Sequence, residues 1–156
     1  MLNPVTDLDA HVKCVCAGAS AYGAVPAILT AGGNGDNTKI TGQYFDRAGY
    51  DSMVLAIAAF ANLTNTKLLT FAVEMVESDD HSTWSSPAEV VQAATTLLTA
   101  TSSTVFWGST QIAVDLKSRK KYVRFDITPN LDASGTDTAL WTAVGVLGGA
   151  QILPAV

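Results

Sequence analysis

Residues 67–84 read KLLTFAVEMVESDDHSTW, and this stretch decides the fold. Leu69, Phe71, Val73 and Met75 fall on one side of an extended chain, while Thr70, Ala72, Glu74 and Val76 fall on the other. That period of two is the signature of a strand with one strongly buried face. Ser78, Asp79, Asp80, His81 and Ser82 then supply short polar side chains that favour a turn over a ladder. Trp84 follows as a large apolar residue expected to fold back onto the buried face of the strand.

Working outward, the neighbouring segments also read as strands. Downstream, Val123, Phe125 and Ile127 alternate with Tyr122, Arg124 and Asp126. Ile112, Val114 and Leu116 alternate with Gln111, Ala113 and Asp115, and Gly108 is expected to break the strand that begins at Val105 to Trp107. The basic run Lys117 to Lys121 between these segments is expected at the tip of a hairpin, as a solvated turn that keeps an edge soluble. The last strand, Thr136 to Leu147, has Leu140, Val144 and Val146 on one face and Trp141, Ala143 and Leu147 on the other. With both faces apolar, it is expected to be buried on both sides or to lie at a subunit contact.

Upstream, Ser52 to Ala61 fits a helical and an extended spacing about equally, and its strand neighbours favour a strand. Asp46 to Asp51 is a turn, with Arg47 placed to pair with either aspartate. Residues 32–37, GGNGDN, form a turn rather than a phosphate loop: Thr38 stands where a dinucleotide pattern wants glycine, and no helix-forming stretch follows. Pro26 gives a strand over Ala24 to Ala31 an edge position or marks a strand start, and a first strand is expected over His11 to Ala17. Ser85 to Leu98 stays open between a short helix beginning at Pro87 and an irregular strand pair. The sum is an all-β, single-domain antiparallel sandwich over residues 11–150, with an N-terminal arm over 1–10 and an apolar tail over 151–156.

Only 15% of the 156 residues are charged against 48% hydrophobic, while an ordinary soluble domain is roughly 25% charged. The shortage of charge leaves apolar surface to be covered by other protein chains. A net charge of -5 lacks the basic footprint that nucleic-acid binding needs, so nucleic acid is not an expected partner. No apolar run is long enough to span a bilayer, so no membrane is expected, and the start MLNPVTDLDAHVKC does not read as a secretory signal. Cys14 and Cys16 read as free thiols, since C-x-C spacing disfavours a bridge and no second Cys/His pair completes a zinc site.

No catalytic set, metal site or cofactor site emerges, and the chain is read as not an enzyme. His81 stands beside Asp79, Asp80 and Ser82, but sequence neighbours in a turn point different ways, whereas a triad is assembled by the fold at defined distances.

Four stretches carry a resemblance: LLTFAVEMVESDDHSTW (68–84), VDLKSRKKYVRFDIT (114–128), SGTDTALWTAVGVLGGA (134–150) and GDNTKITGQYFDRAGYDSMVLAI (35–57). Together they resemble small β-sandwich structural proteins of tailed bacteriophages that decorate or cement the capsid. The resemblance implies a jelly-roll-like sandwich and a virion structural role on the capsid surface after assembly in the host cytoplasm. It also implies a homotrimer that binds the major capsid protein. Leu2, Pro4, Val5, Leu8, Trp141, Ile152 and Leu153 are then the candidate capsid or subunit contacts. The competing classes are a vertex-spike base or tail component, and a carbohydrate-binding module using Trp84, Trp107, Trp141 and Tyr122. The sugar reading predicts exposed aromatics lined up on one face.

Overall fold

The computed structural model describes residues 13–19, 28–102, 104–132 and 136–150, with the backbone alone for 13–19 and 150. The expected arm, the tail, most of the strand around Pro26, and contact candidates Leu2, Pro4, Val5, Leu8, Ile152 and Leu153 lie outside these residues. The described chain forms β1 (Lys13–Ala19), β2 (Leu29–Thr30), β3 (Ile40–Asp46), β4 (Tyr50–Leu63) and β5 (Leu68–Ser78). It continues with β6 (Glu89–Thr99), β7 (Thr104–Asp115), β8 (Tyr122–Leu131) and β9 (Thr138–Ala150).

Two antiparallel sheets result. One has the order β1-β9-β4-β7, with the short β2 also pairing β9; the other has the order β3-β8-β5-β6. We call them the β9 and β8 sheets after a central strand of each. Apart from β5 and β6, successive long strands from β3 onward change sheet, so the sheets are stitched together by crossovers rather than by hairpins. Eight long strands in these two interleaved quartets make a jelly roll, the double-sheet arrangement built from two Greek keys.

Alternation explains the core. On β5, Leu69, Phe71, Val73 and Met75 are all buried, and on β8 so are Val123, Phe125 and Ile127. They meet Met53, Leu55 and Ile57 of β4 and Trp141, Ala143 and Leu147 of β9 in one cluster between the sheets. Phe45 stacks on Phe125 at 6.0 Å, and Phe71 meets Trp141 edge to face at 5.4 Å. Each of these large side chains contributes roughly 1.5–3 kcal/mol by leaving water.

Several local expectations are corrected. Lys117 to Lys121 is not a hairpin tip, because β7 and β8 belong to different sheets and the run crosses between them. Gly108 does not break its strand. β7 runs straight through it, and the missing side chain makes room for Leu98, whose Cδ2 would lie 2.7 Å from an added Cβ. Of Ser85 to Leu98, the part from Glu89 onward resolves as strand β6, irregular to the extent of three register shifts against β5, and Ser85 to Ala88 lead into it outside any strand. Arg47 pairs with neither neighbouring aspartate: its guanidinium donates to the backbone carbonyls of Arg119 and Lys120. The turn at 32–37 holds as read, with Gly32 and Gly35 at positive φ and the Asp36 carboxylate accepting from Gly32 and Leu131 amides.

Candidate interaction surfaces

With every core strand alternating, each sheet has an outer face, and the two differ in chemistry. On the β9 sheet the register sets the outer side chains in rows across β7, β4 and β9. Trp107, Phe60 and Leu140 form one row; Ala113, Val54 and Val146 form another. Between them lie the rows Ser109, Ala58, Thr142 and Gln111, Ala56, Val144. None of these side chains is charged. Trp107 is 78% exposed, Phe60 51% and Leu140 39%. From strand spacings, these four rows span about 27 Å by about 15 Å, on the order of 400 Å2. That is the size of the largest patch on an ordinary monomer, a patch that is often functional.

The face is not flat. A hollow of about 580 Å3 opens at one end, bounded by Val54, Ala113, Val146 and Gly148. A smaller one of about 100 Å3 lies at the other, between Phe60, Leu140 and Ile28. Both are mainly apolar, although Ser52 and Asp115 also line the larger, and both suit protruding side chains of a partner.

The outer face of the β8 sheet is aromatic and ion-paired. The Tyr44 and His81 rings stack at 5.2 Å, Tyr122 meets both edge-on, and the Arg124 guanidinium lies 4.6 Å from the Trp84 ring centre. Arg124 also donates from Nε to Asp126 at 2.9 Å, and Asp126 is buried. Lys39 pairs with Glu74 of β5, while Arg119–Glu89, Lys120–Asp79 and Lys121–Asp46 tie the segment that crosses between the sheets to the ends of this one. The hydrogen bond to Glu74 holds the Lys39 ammonium above its usual range.

Trp84 therefore sits half-buried on this outer face and not on the buried face of β5. Trp141 points the other way: at 4% exposure it is packed inside against Phe71, which removes it from the contact candidates. The four aromatics of the sugar-binding reading are thus dispersed. Trp107 is on the β9 sheet, Trp84 and Tyr122 are on the β8 sheet, and Trp141 is in the core.

The turn after β5 holds the residues with the look of a catalytic set. The Asp80 carboxylate accepts from the Thr83 amide at 2.8 Å, the Ser82 amide at 3.0 Å and the Ser78 hydroxyl at 2.8 Å. These bonds, led by those from the two amides, hold its carboxyl well below the usual carboxylate range. Asp80 is engaged in closing its own loop, while His81 faces Tyr44 and Tyr122. Among the described residues no cluster of three or more His, Cys, Asp or Glu side chains is placed to hold a metal ion.

The outer face of the β9 sheet is the surface that sequence reasoning missed. Its signal is present in β9, whose two apolar faces admit a subunit contact, but Phe60 lies in a segment of ambiguous period and Trp107 stands as a candidate sugar-stacking ring. Only the register places them in one row.

No protein-family model matches the chain, and no curated protein sequence does. Among solved structures, the chain is similar to infectious bursal disease virus, Gx strain, at 14% identity and a TM-score of 0.46, covering 92% of this chain and 35% of that one. It is also similar to the T=1 particles derived from infectious bursal virus, at 9% identity and a TM-score of 0.49, covering 90% of this chain and 32% of that one. A third similarity is to the CBM22-1 and GH10 modules of Clostridium thermocellum endo-1,4-beta-D-xylanase 10B complexed with xylohexaose. There the identity is 14% and the TM-score 0.36, over 95% of this chain and 28% of that one. The chain thus spans about a third of the length of the viral proteins it is compared with.

Proposed function

We propose that this chain is a non-enzymatic structural protein of a tailed-phage virion, one that binds the outside of the capsid and stabilises it by bridging major capsid subunits. The observation that carries the reading is the charge-free apolar outer face of the β9 sheet. A jelly roll seals its core between the sheets and has no need of a second apolar face for its own folding. A face of about 400 Å2 with two hollows instead fits a partner that supplies apolar protrusions, and an assembled shell offers such a partner at many equivalent positions. The β8 sheet, with its ion pairs, is then the side turned to solvent.

This reading is favoured over a sugar-binding module by the state of the aromatic rings. Of that module's four candidate rings, Trp141 is buried, Trp84 is covered by Arg124 and Tyr122 packs edge-on against Tyr44 and His81, which leaves Trp107, on the other sheet beside Phe60, as the exposed one. The test is co-sedimentation with shells assembled from the major capsid protein of the same genome. The unaltered chain is expected to travel with the shells, and the double variant Phe60→Glu, Trp107→Glu to stay in the supernatant with an unchanged melting temperature. Equal sedimentation of both proteins, or failure of the unaltered chain to bind, would overturn the reading.

A further inference from the structure

The edge strands of the two sheets are not alike. β1 carries a register shift between Cys16 and Gly18, β3 carries one between Thr41 and Tyr44, and β6 carries three. Bulges of this kind twist an edge away from intruding strands, as do prolines and lysines. β7 has none of these devices. It pairs with β4 through twelve consecutive positions without a shift, and among the described residues it pairs with no other strand. Its sequence, TVFWGSTQIAVD, has no Pro, Lys or Arg, and its one charge is Asp115 at the end. A molecule that protects three edges and leaves its fourth long, regular and uncharged has an edge suited to strand addition.

We propose that β7 is a self-association edge. Two copies of this chain pair β7 with β7 antiparallel about a twofold axis perpendicular to the sheet. The register follows from the ladder on the inner side. The Leu116 amide donates to the Asp51 carbonyl at 2.9 Å, and antiparallel bonding alternates, so even-numbered residues of β7 bond to β4. Odd-numbered residues turn their N–H and C=O groups outward.

An axis through Thr110 sets Ser109 opposite Gln111 of the partner subunit, and the large, 78% exposed Trp107 opposite the small Ala113 of the partner subunit. Six facing pairs, each exchanging two bonds, give on the order of twelve hydrogen bonds, against about ten in a typical interface. The perpendicular axis also keeps both apolar faces on one side, so the uncharged surface continues across the seam. The inference stands independently of the virion reading, and it sets a twofold count in place of the threefold count implied by the resemblance.

Light scattering after size exclusion on the full chain tests it. The expected mass is twice the 16.3 kDa of one chain. Gln111→Pro and Gln111→Lys change a residue whose N–H points away from β4, so the fold is expected to persist while the mass falls to that of one chain. If the proline variant loses its far-ultraviolet strand signal, the lysine variant decides.

Register is tested by oxidation. Thr110→Cys meets its own copy at a Cα separation of about 4.5 Å and crosslinks, whereas Ser109→Cys meets its copy at about 8 Å and does not. A single-chain or triple-chain mass for the unaltered protein, an undisturbed dimer in the lysine variant, or crosslinking through position 109 in preference to 110 would overturn the proposal.

Discussion

The two outer faces of this sandwich are made by the same backbone geometry and opposite chemistry. On the β8 sheet, outward side chains satisfy one another. Arg124 reaches Asp126 and Trp84, Lys39 reaches Glu74, and Tyr44 stacks on His81. On the β9 sheet, outward side chains are apolar or uncharged, and Trp107 and Phe60 stand in water. A face that is internally satisfied contributes to the stability of the single chain, while a face that is not gains its free energy only when something covers it. The difference separates what serves folding from what is left for association.

The largest effect on folding is expected from Arg124→Ala. Its side chain is 20% exposed and that of Asp126 7%, so the substitution strands a buried carboxylate and uncovers Trp84. Loss of about 3 kcal/mol, read as a lower urea midpoint at constant slope, is the expected result. A shift below about 0.5 kcal/mol would mean that the β8 face is as dispensable to the fold as the β9 face.

Asp80 gives a pH-dependent contrast. Its folded carboxyl is more acidic than the roughly 3.9 of an unfolded aspartate, so its contribution to stability is fully present above about pH 4 and is lost as pH falls further toward the folded value. Melting temperature is expected to fall more steeply with acid in the unaltered chain than in Asp80→Asn, with the two curves converging at low pH. Parallel curves would remove the turn from the account.

Lys39→Ala is expected to cost less than about 0.5 kcal/mol, because the Lys39–Glu74 pair is solvated and screened. The smallest effect on folding belongs to Trp107→Ser. Its urea midpoint is expected to remain within about 0.5 kcal/mol of the unaltered chain, as for surface positions generally. A large destabilisation there would show that the β9 face serves the fold after all, and would break the comparison.

Much of the strand content was legible because alternation is a property of local sequence. β5 and β8 announce one buried face each, and the structure buries the side chains so assigned. β6 was ambiguous because its threonines and alanines carry no strong period, and its three register shifts show why a regular pattern was never there. The hairpin expected around Lys117 to Lys121 failed for a different reason. Adjacency in sequence says that two strands are joined, whereas their sheet is set by which buried faces must meet across the core. Gly108 misled in the same way, since its missing side chain answers to Leu98, ten residues away and in the other sheet.

By itself, then, the sequence determined an all-β sandwich, one strongly apolar side to β5 and to β8, a shortage of charge, and turns at 32–37 and 78–82. These follow from side-chain period, propensity and composition, which act within a few residues. Only the tertiary structure decided that Trp141 is inside while Trp107 is outside, that Phe60 and Leu140 join Trp107 in one row, and that β7 is the unprotected edge. Those outcomes depend on pairing register and strand order, which are fixed by contacts between residues far apart in the chain and leave no mark on any one stretch of it.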